Sequence, residues 1–138
     1  MKSESTRVIS GVSHAAVCKV AVKLFFAISD EWELTDVQKC TLAGVSTRST
    51  LHNWKRKVES DDDVALSKDS LERLSYISGI YKGVQGLYSS PKQWKEWVKK
   101  PNRDFAGKSA LDRMLCGRVI DLADVRRYID AWRGDVYI

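Results

Sequence analysis

Apolar residues recur at helical spacing in one segment of this chain after another, and most of the segments begin and end on residues that start or stop helices. Ser13 can cap a helix whose Val17, Val20, Ala21, Leu24 and Ile28 fall on one stripe, with Lys19 and Lys23 on the wet side. Thr35 opens a short helix running through Leu42, Ala43-Gly44-Val45 makes a tight turn, and Ser46 or Thr47 caps a further helix to about Lys57 that Leu51, Trp54 and Val58 would seat. Ser67 caps a long helix with Leu71, Leu74, Ile77, Tyr81, Val84 and Leu87 or Tyr88 in register. Ser90-Pro91 stands in Ncap and N1 order before a helix with Trp94, Trp97 and Val98, which closes before Pro101. Ser109, with Asp112 three residues on, starts a helix carrying Ala110, Leu111, Met114 and Leu115, and Gly117 stops it. Asp121 and Asp124 repeat the start signal; Leu122, Val125, Ile129 and Trp132 are expected to face inward, and Gly134 ends the last helix.

Two stretches stand outside this rhythm. Met1 to Gly11 is polar without a sustained period, so at most a short helical turn is expected there. Asp61-Asp62-Asp63 reads as a solvated acidic connector. The expected architecture is all-α: an N-terminal helix-turn-helix bundle over 1–63, followed by a helical domain over 64–138. Trp32, in an acidic connection, should pack as a lid on the small bundle. Gly79, Gly83 and Gly86 each cost about 1 kcal/mol relative to Ala inside the long helix, so a second helix should approach closely there.

Composition narrows the function. A chain of 138 residues, 43% hydrophobic and 30% charged, is ordinary for a globular protein. The net charge of +5 suits a polyanionic partner, but the excess lies wholly after Leu66, with fourteen basic against nine acidic residues; before it nine balance nine. Total charge therefore does not mark a DNA-binding half. Cys18, Cys40 and Cys116 are odd in number and widely spaced, which fits neither a disulfide framework nor a zinc site. The apolar run Ala15 to Ile28 is interrupted by Lys19 and Lys23 and too short to span a bilayer, so a cytoplasmic protein is expected. No Gly-rich phosphate loop or paired His or Cys ligand spacing is present, and His14 and His52 fall in separate helices. The expectation is a protein that is not an enzyme and has no cofactor, metal or small-molecule substrate.

Helix, turn, helix over Leu34 to Val58 leaves one face of the second helix free for chemistry. On it, or at its exposed N-terminus, stand Ser46, Thr47, Arg48, Ser49, His52, Asn53, Lys55, Arg56 and Lys57, four cations and no acid, a set suited to phosphates and base edges. A merely solvated hairpin would show the same pattern. Gly44 to Leu51 is seven residues where the commonest motif has six, so the turn should be one residue longer or differently placed.

The segment Pro101 to Gly134 carries a more specific signal: Pro101-Asn102, Phe105 to Gly107, Ala110 to Met114, Gly117 and Val125 to Tyr128, in that order. This order resembles the C-terminal toxin-binding domain of the Xre/MbcA/ParS antitoxins. Ser46 to Thr50, Trp54-Lys55 and Leu71 to Lys82 extend the resemblance to members paired with RES-domain toxins, which consume NAD. The resemblance implies a type II antitoxin that covers its cognate toxin with the C-terminal half and binds operator DNA with the helix-turn-helix, as a homodimer. It implies that the C-terminal region covers the toxin's substrate entrance, and the exposed end of the last helix brings Arg126, Arg127, Tyr128, Asp130, Arg133, Gly134 and Asp135 to that contact. The other reading of this contact is that these charges are a solvated face and that inhibition comes from the surface around Trp94 and Phe105. The alternative is a stand-alone helix-turn-helix transcriptional regulator whose C-terminal half only dimerises; a small enzyme is a remote third reading.

Overall fold

The computed structural model describes residues 8, 9 and 12–134, with side chains from Ser13 onward. Two short strands, β1 (Val8–Ile9) and β2 (Val12–Ser13), pair antiparallel with Val8 opposite Ser13 and Ile9 opposite Val12. Of Met1 to Gly11, where at most a short helical turn is expected, only Val8 and Ile9 are among the described residues; they are extended, as the β-branched Val8, Ile9 and Val12 favour. Beyond this pair the fold is all-α: α1 (His14–Glu31), α2 (Asp36–Ala43), α3 (Arg48–Glu59), α4 (Lys68–Leu87), α5 (Pro91–Trp97), α6 (Ala110–Met114) and α7 (Val119–Arg133), with a 3-10 turn at Arg103–Phe105.

Most helix starts have the chemistry read from the sequence. Ser13, Thr35, Thr47, Ser67, Ser90 and Ser109 each accept a backbone N–H from the first turn, and Thr35 and Ser109 complete capping boxes with Gln38 and Asp112. Gly44 ends α2 with φ 73° and Gly134 ends α7 with φ 81°, the left-handed region that an L side chain resists. The last helix begins differently from expectation. Its cap residue is Arg118, and Asp121, three residues on, accepts the Arg118 N–H at 3.1 Å.

The inward stripe of α1 is Cys18, Val22, Phe25, Ile28 and Ser29, not the Val17-Val20-Ala21-Leu24 stripe. Val20 is 62% exposed. The helix is apolar over most of its circumference, and the phase that buries the larger Phe25 prevails, since buried area sets the gain. Trp32 is buried as expected; its ring lies 6.3 Å from that of Tyr81 on α4. The Tyr81 hydroxyl donates to Glu31 Oε1 at 2.9 Å, and burial with the neighbouring carboxylate pushes its pKa up to about 12.

Helix α4 is the axis on which α1, α2, α5 and α7 pack. Phe25, Ile28, Leu42, Leu51, Ile77, Ile80, Met114, Leu122 and Ile129 belong to one continuous core. The expected glycine contact is with α7: a Cβ on Gly83 would collide with Ile129 Cγ2, one on Gly79 with the Arg126 guanidinium, and one on Gly86 would stand 3.1 Å from Arg133 Nε. Asp61, Asp62 and Asp63 are exposed, and Asp61 is held by Lys19 Nζ at 3.1 Å, while Val64 and Leu66 just beyond are buried. Among the described residues, no helix is long and apolar enough to cross a membrane.

Candidate functional site

The first candidate surface is α3. Leu51 and Trp54 are buried and seat the helix, which turns Arg48, Ser49, His52, Lys55 and Arg56 to solvent, with Asn53 and Lys57 half-buried and Ser46 and Thr47 exposed at the start. Four of these residues already have partners: Thr47 Oγ1 accepts from the Thr50 N–H at 3.3 Å, His52 Nε2 lies 3.1 Å from Asp36 Oδ2, and Arg56 Nη2 donates to Asn53 Oδ1 at 2.6 Å. The His52 hydrogen bond, with nearby Lys39, holds the Asp36 carboxyl below the usual carboxylate range. Among the described residues no ion pair involves Arg48, Lys55, Arg56 or Lys57. Arg48, Lys55 and Lys57 can therefore meet anions without first breaking an internal bond, whereas His52 and Arg56 would first leave Asp36 and Asn53.

The turn ahead of α3 is pinned to α4. Ser70 Oγ donates to the Ala43 carbonyl at 2.8 Å. Arg73 donates to the carbonyls of Thr41 at 3.4 Å and Gly117 at 2.9 Å, and its Nε pairs with Asp69 at 2.9 Å. A Cβ on Gly44 would lie 2.7 Å from Arg73 Cδ, so glycine is required there for space as well as for φ. Sequence reasoning missed Arg73. Only its i, i+4 spacing from Asp69 was visible, and the two carbonyls it joins lie 32 and 44 residues away.

The second surface is formed by the end of α4, α5, the 3-10 turn and α7. Tyr128 is its hub: Trp97 stacks on it with ring centroids 6.4 Å apart and planes at 19°, while Phe105 lies at 4.9 Å and Trp132 at 6.2 Å. The Tyr128 hydroxyl donates to Asp104 Oδ2 at 2.8 Å and accepts from Asn102 Nδ2 at 3.4 Å; burial is the main cause of its raised pKa. Leu87, Tyr88, Trp97, Asn102, Tyr128 and Trp132 line a cleft of about 240 Å³. The expectation that Trp132 faces inward fails. It is 63% exposed, because one turn beyond Ile129 the stripe of α7 passes the end of the packed core and reaches the lip of this cleft.

The remaining sequence-derived contact residues divide by what already holds them. Trp94 and Phe105 are half-buried against the core, whereas Trp97 is buried. Arg126 lies over Gly79 and pairs with Asp130 at 3.2 Å; Arg127 pairs with Asp124, and Arg133 lies over Gly86. Gly134 is exposed at the helix end, and Asp135 lies outside the described residues. The start of α7 is fixed by the buried Asp121, which accepts from Arg118 Nη2 at 2.9 Å and Arg113 Nε at 3.2 Å; Arg113 also pairs with Asp124. These bonds, the Arg118 side chain first, bring the Asp121 pKa down to about 2. Among the described residues no His, Cys, Asp and Glu group could hold a metal ion.

This second surface coincides with a recognised domain. The antitoxin Xre/MbcA/ParS C-terminal toxin-binding domain matches residues 84–134, from the end of α4 through α7. The chain is also similar to an uncharacterized protein, y4oB, of Sinorhizobium fredii (strain NBRC 101917 / NGR234), with 38% identity over 132 residues that cover 96% of this chain and 98% of the relative. Residues 84–134 are thus an Xre/MbcA/ParS C-terminal toxin-binding domain, and the chain as a whole belongs to the same family as y4oB.

Proposed function

We propose that this protein is the antitoxin of a type II toxin-antitoxin pair and neutralises a RES-type, NAD-degrading toxin by direct contact that occludes the toxin's active site. The observation that carries this reading is the coincidence of the toxin-binding domain with the aromatic cleft around Tyr128 and Trp132. Aromatic residues gathered at an open lip are the usual material of a protein-protein hot spot. The motifs at Ser46 to Thr50, Trp54-Lys55 and Leu71 to Lys82 support the RES pairing, and no cofactor of its own is required.

In the same reading α3 binds the operator of its own operon, as a homodimer whose two α3 helices meet successive major grooves. The exposed cations of α3, unengaged by ion pairs, favour this role and equally favour the second reading, a stand-alone transcriptional regulator. Co-expression with the reading frame adjacent to its gene tests the choice. Toxicity and NAD loss from the neighbour alone, relieved by this protein, are expected; a harmless neighbour would leave the regulator reading in place.

A further inference from the structure

We infer that the cleft between α5 and α7, with the cations beside it, docks an acidic partner surface that presents one apolar or aromatic side chain; this rests on the reading of the C-terminal half as toxin-binding. The centre of the surface is apolar, with Trp132 63% exposed at its lip. Its border is cationic. From Lys92 to Lys108 the chain carries six basic residues and two acidic ones. Lys100 and Arg103 line the part of the cleft next to Tyr88 and Trp132, and Lys100 also walls the adjoining hollow with Lys95 and Lys99, which there face Glu31, Glu33 and Glu96.

These cations are not consumed internally. Among the described residues no ion pair involves Lys92, Lys95, Lys100, Arg103 or Lys108, and Lys99 has a 3.7 Å pair with exposed Glu33. The carboxylates nearest the cleft are engaged: Asp104 by the Tyr128 hydroxyl, Asp124 by Arg113 and Arg127, and Asp130 by Arg126. In the adjoining hollow Glu31 accepts from Tyr81 and Glu33 meets Lys99, while exposed Glu96 makes no ion pair among the described residues. An incoming surface therefore meets a net positive charge beside an aromatic centre, the arrangement in which rim charges attract and a central anchor holds. The patch is not an extension of α3. The cleft is built on Leu87 and Tyr88 at the end of α4, whereas the turn before α3 rests on Ser70 and Arg73 near its start, roughly 25 Å away along the helix.

Rim and anchor predict different kinetics. Association of this protein with the purified toxin from the adjacent reading frame is followed by stopped flow over a series of sodium chloride concentrations. The wild type should associate fastest at low salt. A combined Lys95→Glu, Lys100→Glu, Arg103→Glu variant should associate about 10-fold more slowly at low salt and lose most of the salt dependence. Trp132→Ala should keep the association rate but dissociate about 30-fold faster. Unchanged rates in both variants, with helical circular dichroism retained, would overturn the inference. So would a charge-reversal variant that loses affinity for random duplex DNA and not for the toxin. Failure of the wild type to bind the toxin at any salt would overturn the toxin reading, and this surface with it.

Discussion

Gly83 of α4 and Ile129 of α7 touch so closely that no β-carbon fits between them. Ala in place of Gly gains about 1 kcal/mol of helix propensity, but overpacking a closed core costs about 1–3 kcal/mol. Gly83→Ala should therefore lose about 1 kcal/mol of stability. At Gly86 the nearest neighbour is Arg133 Nε at 3.1 Å, the end of a flexible side chain that can move. Gly86→Ala should be neutral or stabilising by up to about 1 kcal/mol. Urea denaturation of the two variants checks the contrast; equal losses would mean that α7 does not rest on this groove.

Asp121 supplies a pH-dependent part of the stability. Its carboxyl pKa is depressed in the folded protein to about 2 from 3.8, so the contribution is full above the unfolded value and disappears as pH falls through about 2. Near two pKa units correspond to about 2 kcal/mol. Asp121→Asn should lose about that much at pH 7, with the gap to wild type closing between pH 4 and pH 2. A gap that stayed constant over that range would show that Asp121 acts by shape and not by charge.

On the nucleic-acid face, Arg48 stands in the first turn of α3, where a guanidinium can bond a guanine edge in two places, while Lys55 lies further along the exposed side. Arg48→Ala should reduce the preference for operator over random DNA, by about 1–3 kcal/mol. Lys55→Ala should weaken both alike and lower the slope of log affinity against log salt by about one unit. Fluorescence anisotropy with the two DNAs at several salt concentrations reads both effects. Unchanged operator binding by both variants would remove α3 from the interface.

Most helix boundaries were legible because they are local chemistry: Thr35, Ser67, Ser90, Ser109, Gly44 and Gly134 act within one turn of themselves. The glycine contact was legible in kind, since three glycines in one helix require compensation, but its partner α7 was not. The phase of α1 was misread because two overlapping stripes satisfy the same period and only tertiary packing chooses between them. Trp132 was misplaced for a related reason. Periodicity says which way a residue points, and nothing about where the neighbouring helix ends. The aromatic residues of the cleft were mostly visible one by one as Trp97, Phe105, Tyr128 and Trp132, yet their meeting around Tyr128 depends on the 3-10 turn and on the Asn102 and Asp104 bonds across 24 to 26 residues. Arg73 joins the end of α2 to the loop before α7, and beyond its i, i+4 spacing from Asp69 no pattern in the sequence reveals those two bonds.

The most direct measurement of the central claim is NAD turnover by the purified toxin from the adjacent reading frame, titrated with this protein. Turnover should fall in proportion to the protein added and reach zero near equimolar amounts, and Trp132→Ala should need a clear excess to do the same. Full turnover in the presence of a several-fold excess of folded protein would contradict the account.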